Sequence, residues 1–580
     1  MLAAAQADAG WRVANPARLD LADLPALLDG AGVVVVRLLG GKRAWEEGLD
    51  AVIASGVPAV VVSGEAAPDA ELMSMSTVPA GAVTEALAYL REGGAANLAN
   101  LAGFLRDTVL LTGDAFDPPR PLPSYGVRGG RAFEPDGRPV VGIVYYRAHE
   151  ISGNTAFVDA LAAAVEAKGA QPLPVFCGTL RGLDPEHADN RALFDLLRRC
   201  DVLVTTLLAA GGAVAADASA GGSEDAWDAG ALAALDVPIV QGLALTSTRE
   251  QWLASDAAVS PLDAATQVAI PEFDGRLIAV PFSFKEHDPE DMGGLARYVP
   301  DPERCDRLAG IAVAQARLRH VPANEKRLAV VLSSYPTKHA RIGNAVGLDT
   351  PASAVVLLRE LKAAGYDLGD LDVDGLEGDG LIHRLIAAGG HDVDWLTDEQ
   401  LANAVAKVPP ATYRTWFERL PESLREAMTE AWGEAPGELY TDPSGAIALA
   451  ALRFGNVVLM IQPPRGFGEN PVAIYHDPDL APSHHYLAAY RWLEAHEDEG
   501  GFGAHAMVHL GKHGTLEWLP GKGIGPAADC APDAVLGNLP MVYPFIVNDP
   551  GEGTQAKRRA HAVIVDHLVP PMARAETYGD

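Results

Sequence analysis

The chain has 580 residues, 48% of them hydrophobic, and carries 77 acidic against 45 basic side chains for a formal net charge of −32. A field of that sign repels nucleic acid and anionic membrane surfaces, and no run reaches the ~20 apolar residues of a membrane-spanning helix. With no secretory signal at its start, the sequence predicts a soluble cytoplasmic protein whose scattered Cys177, Cys200, Cys305 and Cys530 are buried free thiols.

The pattern of elements predicts three α/β units, 1–125, 126–322 and 323–580. In the first, Val33–Leu38 is an apolar run bounded by Gly40 and Gly41, as expected of a strand buried on both faces. Ala44–Ile53 has helical spacing and Pro58–Val62 reads as the next strand. Gly93-Gly94 stops a helix, another leads to Val109–Leu111, and Pro118, Pro119, Pro121 and Pro123 make a linker. The second unit repeats the rhythm. Val140–Tyr146, Leu173–Phe176 and Val202–Thr206 read as strands, with helices at Thr155–Lys168 and Ala192–Arg199. The Gly/Ala/Ser-rich stretch 209–230 reads as a loop, and Pro238–Gln241 and Leu277–Pro281 as strand pieces.

The third unit opens with the strand Leu328–Ser333. Thr350 then reads as an N-cap with Pro351 at the first helical position, and Gly365 closes that helix. Residues 380–435 form a helical insertion. Val457–Gln462, 504–510, Met541–Val547 and Ala562–Leu568 read as strands, with a helix over Pro482–His496. Strand, helix, strand in this order is the signature of α/β: several doubly wound parallel-sheet domains around a cleft.

Ligands of open parallel sheets bind beyond the carboxyl ends of the strands. Four glycine-rich loops of the third unit occupy that position, 334–349, 463–470, 511–523 and 548–559. The densest chemistry is the run from His505 to Lys522, with His505, His509, His513 and Glu517. His505 and His509 fall on one face of the 504–510 strand, and Gly511 and Gly514 turn the chain to present His513 and Glu517. Imidazole and carboxylate together suit a divalent metal or proton transfer, although the spacing matches no zinc signature and polar-face histidines are the plainer reading. Lys338, His339 and Arg341 give the 334–349 loop positive charge, or a solvated basic turn. Arg465 beside Phe467 suits a carboxylate and a flat ring; the alternative is a surface arginine. Lys557-Arg558-Arg559 reads as a solvated or salt-bridged helix face, and His484-His485 open a helix. No phosphate-binding GxxxxGK[ST] loop and no dinucleotide GxGxxG is present, so ATP hydrolysis by a phosphate loop in this chain is excluded.

The blocks 332–351, Gln462-Pro-Pro-Arg-Gly-Phe-Gly-Glu-Asn470, His505–Lys522 and Val547-Asn-Asp-Pro-Gly-Glu-Gly553 resemble the large subunit of aerobic cobaltochelatase, the CobN family, a relative of the large subunit of magnesium chelatase. The resemblance implies a tetrapyrrole- and metal-binding subunit that inserts Co²⁺ into hydrogenobyrinic acid a,c-diamide in cobalamin biosynthesis. It implies an AAA+ ATPase partner with its companion subunit, where ATP and Mg²⁺ would bind. His505, His509, His513 and Glu517 become candidate metal-delivery and proton-accepting groups, Lys338, Arg341, Arg465 and Lys522 candidate holders of the macrocycle's carboxylates, and His339 and Glu469 further substrate-binding candidates. Alternatives are a magnesium or nickel chelatase acting on another tetrapyrrole, and a non-catalytic tetrapyrrole-binding scaffold. Members of the family are much longer, so the resemblance also implies a chain cut mainly on its C-terminal side and missing a strand ahead of Trp11.

Overall fold

The computed structural model describes residues 1–7, 9–65, 67–215, 225–256, 259–287, 295–334, 342–345, 348–391, 396–466, 477–512, 514–546 and 550–567. In the first unit β1 (Val34–Leu38) and β2 (Ala59–Ser63) pair in parallel, Val34 opposite Ala59. Their valines are β-branched and pack on both faces. Leu24, Leu28, Leu49 and Val52 cover one face. Val83, Ala86, Leu98 and Leu101 cover the other. The Ala80–Glu92 helix ends at Gly93, whose φ of +65° suits a residue without Cβ.

The second unit is a seven-stranded sheet in the order β11-β10-β9-β6-β4-β5-β3. Its strands are β3 (Tyr125–Val127), β4 (Val140–Tyr146), β5 (Gln171–Cys177), β6 (Val202–Thr205), β9 (Ile239–Leu245), β10 (Leu277–His287) and β11 (Ala296–Pro300). Strands β5, β4, β6, β9 and β10 run parallel, and the edges β3 and β11 are antiparallel to their neighbours. Helices Ala156–Ala167 and Pro302–Arg317 bury Phe157, Leu161, Leu308 and Ile311 on one face. The Ala188–Leu197 helix buries Leu193, Phe194 and Leu197 on the other. The 209–230 stretch is not a plain loop: β7 (Gly212–Ala215) and β8 (Asp225–Asp228) form an antiparallel ribbon. Among the described residues each strand of that ribbon pairs only with the other, which composition does not reveal.

The third unit begins with β12 (Leu328–Leu332), followed by the short pair β13 (Asn344–Ala345) and β14 (Leu348–Asp349). Asp349, rather than Thr350, caps the next helix by accepting from Ala352 N at 3.0 Å. Thr350 is its first residue, with Pro351 behind it, because the longer reach of the Asp349 carboxylate satisfies the first turn. The insertion holds helices Gly378–Ala388, Asp398–Asn403, Pro410–Glu418 and Glu422–Trp432. Between the second and third of these lies a strand, β15 (Ala406–Val408), which pairs with β16 (Ile447–Leu449). The six-stranded sheet is completed by β17 (Ala451–Phe454), β18 (Val457–Ile461), β19 (Ala506–Leu510), β20 (Met541–Ile546) and β21 (Val563–His567), in the order β17-β18-β12-β19-β20-β21. All but β17 run parallel. Both large sheets therefore place their first parallel strand between the second and the third.

The second and third units meet through buried polar contacts. Asp533 accepts from Arg304 Nη1 at 2.9 Å and Arg307 Nε at 2.8 Å. Trp252 Nε1 donates to Gly525 O at 2.9 Å, and Arg558 forms a two-pronged pair with Glu272. Arg558 is thus salt-bridged, one of the two forms the helix-face reading allows. All four cysteines are free and buried, and among the described residues no helix is long and apolar enough to cross a membrane.

Candidate functional site

The connection leaving β12 leads to β18 on one side, and the connection leaving β19 leads to β20 on the other. The carboxyl ends of the adjacent strands β12 and β19 are therefore the topological switch point, where an open parallel sheet leaves a crevice. His509 lies there, opposite Val331 in register. Alternation holds along β19: Ala506, Val508 and Leu510 join one core and Met507 the other.

His509 Nε2 lies 2.7 Å from Gln462 Oε1 at the end of β18, and its ring meets Tyr543 edge-on with centroids 4.5 Å apart. Burial lowers the His509 pKa to about 4, so the ring is neutral near pH 7. In the tautomer that donates Nε2–H to Gln462, Nδ1 presents a lone pair, and Nδ1 makes no hydrogen bond among the described residues.

The turn after β19 is built around two glycines. Gly511 has φ +131°, and a Cβ there would stand 2.0 Å from Ser333 Oγ at the end of β12. A Cβ on Gly514 would stand 2.6 Å from Glu517 Oε1. The Gly514 N–H donates to Tyr543 Oη at 2.9 Å. Tyr543 thus touches His509 with its ring and the Glu517 turn with its hydroxyl. Glu517 is 1% exposed, and its Oε1 has no hydrogen-bond partner among the described residues. Burial, and then the charge of Glu552, raise the Glu517 pKa well above the ordinary carboxylate range. The carboxyl group is accordingly protonated near neutrality, which is how an isolated buried acid avoids the desolvation cost of its charge.

Two further groups shape the wall. Arg559 is buried and donates to the carbonyls of Glu517 at 2.5 Å, Leu519 at 2.6 Å, and Gly521 and Lys522 at 3.1 Å each. Its guanidinium staples the turn, where the residue pattern predicts a solvated side chain; a helix face counted from sequence does not show which loop folds over it. Tyr486 Oη lies 2.7 Å from Thr515 Oγ1 beneath the same turn. Arg465 is also buried, donating to Asp477 O, so it is not a surface arginine.

The structure separates the other described candidates. His505 precedes β19 at the amino end of the sheet, and its Nδ1 accepts from Arg327 N at 2.8 Å. Four residues of strand, ~13 Å at ~3.3 Å per residue, separate it from His509. Sharing a strand face did not bring them together, because the face runs the length of the strand and the crevice lies only at one end. Lys522 turns to the second unit, where Nζ donates to the carbonyls of Leu253 and Ser255 and sits 5.9 Å from the Trp252 ring centroid. Lys338, His339, Arg341, Glu469 and His513 lie outside the described residues. Among the described residues no group of three or more His, Cys, Asp or Glu side chains is arranged to hold a metal ion. Sequence reasoning missed the roles of Gln462, Tyr486 and Tyr543. Only the apolar run Met541–Val547, with a tyrosine inside it, hinted that a polar group reached the core.

Fold and site together define a doubly wound α/β protein with a neutral imidazole and a protonated acid at the switch point of its last sheet. The chain belongs to the CobN/Magnesium Chelatase family, whose profile matches residues 87–580. It is 38% identical to the aerobic cobaltochelatase CobN of Pseudomonas aeruginosa, over 98% of this chain and 45% of that protein. It is 33% identical to a magnesium-chelatase subunit of Rhodobacter capsulatus, over 76% of this chain and 35% of that protein. The solved catalytic subunit of cobaltochelatase from Mycobacterium tuberculosis superposes with a TM-score of 0.86 at 56% identity, covering 100% of this chain and 47% of that one. The chain thus spans less than half the length of these relatives.

Proposed function

We propose that this chain forms part of the tetrapyrrole- and metal-binding large subunit of an ATP-dependent chelatase, and that its reaction inserts Co²⁺ into hydrogenobyrinic acid a,c-diamide. The observation that carries this reading is that His509 and the turn bearing Glu517 both meet Tyr543 at the carboxyl end of β19, each group keeping an atom with no hydrogen-bond partner among the described residues. Insertion requires a cation to exchange water for protein or macrocycle donors, and the ring N–H proton of the corrin to leave. The His509 Nδ1 lone pair is a nitrogen donor for the incoming ion, and nitrogen donors favour cobalt over magnesium. Glu517 gives its own proton to water shed by the incoming ion as positive charge approaches, and the resulting carboxylate can then bind the ion or take up the ring proton. Gln462 and Tyr543 hold the imidazole in place. Arg465, Lys338 and Arg341 are the cations proposed for the macrocycle's carboxylates, with His339 and Glu469 as further contacts to the macrocycle and His513 as a further metal or proton-accepting group. His505 and Lys522 are left out, since their side chains are engaged elsewhere. ATP would be hydrolysed on an AAA+ partner with its companion subunit, in keeping with the missing phosphate loop.

The cobalt reading over the magnesium one is supported by the nitrogen-rich motif and by the longer match to cobaltochelatase subunits. The test uses the full-length protein with its ATPase partners. His509→Ala and Glu517→Gln should each lower cobalt insertion by ~10²-fold or more, with corrinoid affinity within a few-fold of the parent. Full insertion in both variants would remove the pair from the chemistry, and insertion of magnesium into another tetrapyrrole in preference to cobalt would replace the cobalt assignment.

A further inference from the structure

A further polar atom without a partner stands on the floor of the crevice. Ser333, the residue after β12, is 1% exposed, and its Oγ makes no hydrogen bond among the described residues. The backbone of Ser333 is held on both sides: its N–H donates to Leu510 O at 3.1 Å, and its carbonyl accepts from Gly343 N at 2.7 Å. The hydroxyl is therefore fixed in place and left unused, a costly arrangement for a buried polar group.

Strand register places this hydroxyl beside His509. Val331 stands opposite His509 on β19 and opposite Met460 on β18. Two residues further on, Ser333 lies level with Gly511 on one side and Gln462 on the other. By alternation Ser333, His509 and Gln462 share the sheet face of Val331, Met507 and Met460. β12 is the strand between β18 and β19. The 2.7 Å contact of His509 Nε2 with Gln462 Oε1 therefore spans β12, on the face from which the Ser333 side chain rises. Ser333 and His509 are diagonal neighbours there, ~8 Å apart at Cα from a rise of ~3.3 Å per residue and a strand spacing of ~4.8 Å. Long side chains still meet across such a diagonal. Residue 511 leaves the hydroxyl uncovered, since a Cβ there would stand 2.0 Å from Ser333 Oγ.

The two groups offer the same thing. His509 Nδ1 presents a lone pair in the tautomer that donates Nε2–H to Gln462, and Ser333 Oγ presents two. Neither atom has a hydrogen-bond partner among the described residues. Electron-pair donors gathered in this way suit a cation. We propose that Ser333 Oγ is an oxygen donor to the incoming Co²⁺ beside the nitrogen donor His509 Nδ1, an assignment that rests on reading His509 as a metal donor. The hydroxyl gives a lone pair to the ion in place of one of its waters and keeps its own proton, so the serine gains no charge. Two neutral donors hold a divalent ion loosely, which suits a site that must pass the ion on to the nitrogens of a macrocycle.

The test adds Co²⁺, as its chloride, to the 580-residue chain and to its variants. Ser333→Cys exchanges the hydroxyl for a thiol of similar shape. A cysteine that binds cobalt gives a sulfur-to-cobalt charge-transfer band in the near ultraviolet, which a mere packing role at position 333 would not produce. Expected is that band in Ser333→Cys, its absence from the parent, whose own cysteines are all free and buried, and its loss when His509→Ala is added. Ser333→Ala should weaken Co²⁺ binding roughly tenfold or more, with the urea midpoint unchanged. No band in Ser333→Cys, or the parent's affinity in Ser333→Ala, would overturn the proposal. If His509→Ala still weakened binding in that case, the His509 assignment would survive; the parent's affinity in His509→Ala would take down both. A band that persists without His509 would overturn the pairing of the two donors.

Discussion

The two large sheets share a strand order yet treat buried acids in opposite ways. In the second unit Asp274, just ahead of β10, accepts from Ala210 N, Gly211 N, Trp227 Nε1 and Arg276 Nη2. At the carboxyl end of β9 Asp263 accepts from Thr246 N and Oγ1, Ser260 Oγ and Gln267 Nε2. These carboxylates knit the loops shut. At the corresponding edge of the third unit, Glu517 and His509 keep atoms without a hydrogen-bond partner among the described residues, although both are as deeply buried. Topology alone sets where a crevice can open; the local donors decide whether it is sealed with hydrogen bonds or left able to react.

Substitutions that exchange the two behaviours test that contrast. The largest effect on folding is expected for Asp274→Ala, which strands Arg276 at 0% side-chain exposure. Breaking such a pair costs about 3–5 kcal/mol, readable by urea denaturation. The same measurement on Glu517→Gln should move stability by less than about 1 kcal/mol, because a neutral amide replaces a neutral acid of similar shape. A loss as large as that of Asp274→Ala would show that Glu517 is structural and end the contrast.

Acid should act through buried imidazoles in both units. Burial lowers His149, His485 and His509 to about 4 and His561 to about 3. Against an unfolded value near 6.5, the unfolded state binds more protons between those limits, so stability rises with pH there. The contribution is fully present above about pH 6.5 and is lost as pH falls toward 4, before most carboxylates titrate. Thermal melts across that window should show Tm falling with pH, and His561→Gln should flatten the slope. An unchanged Tm between about pH 7 and pH 4.5 would contradict these burial assignments. The smallest effect is expected at the surface of the third unit. Removing the exposed Arg419–Glu499 pair, 3.0 Å apart, should cost at most about 1 kcal/mol in the same urea titration.

Much of the sheet framework was legible because parallel strands are short apolar runs closed by glycine. Val140–Tyr146 matches its strand residue for residue, and β12, β18 and β20 were each found to within a residue at their ends. What escaped depends on partners distant in sequence. β15 hides among helices because its partner β16 lies far along the chain, beyond two more helices, and the ribbon of β7 and β8 is masked by small residues. The site was legible only in part for the same reason. Histidine and glutamate in a glycine-rich run mark chemistry, and His509 and the turn bearing Glu517 both meet Tyr543. Nothing in the spacing told His505 from His509, since which end of the strand meets the crevice is a property of the whole sheet. Arg559 looked like a solvent-facing cation because the turn it grips lies far upstream in the chain.

That grip has a mechanical consequence. The Pro550–Arg559 helix carries Glu552 near its start and the Arg559 clamp at its end, and through Arg558 it is bolted to Glu272 of the second unit. Any rigid displacement of this one rod drags both acids of the crevice along a common path while pulling on the neighbouring sheet. The spacing of the two carboxyl groups is therefore preserved during such a stroke, and what changes is their position relative to His509, which is rooted in a strand and stays behind.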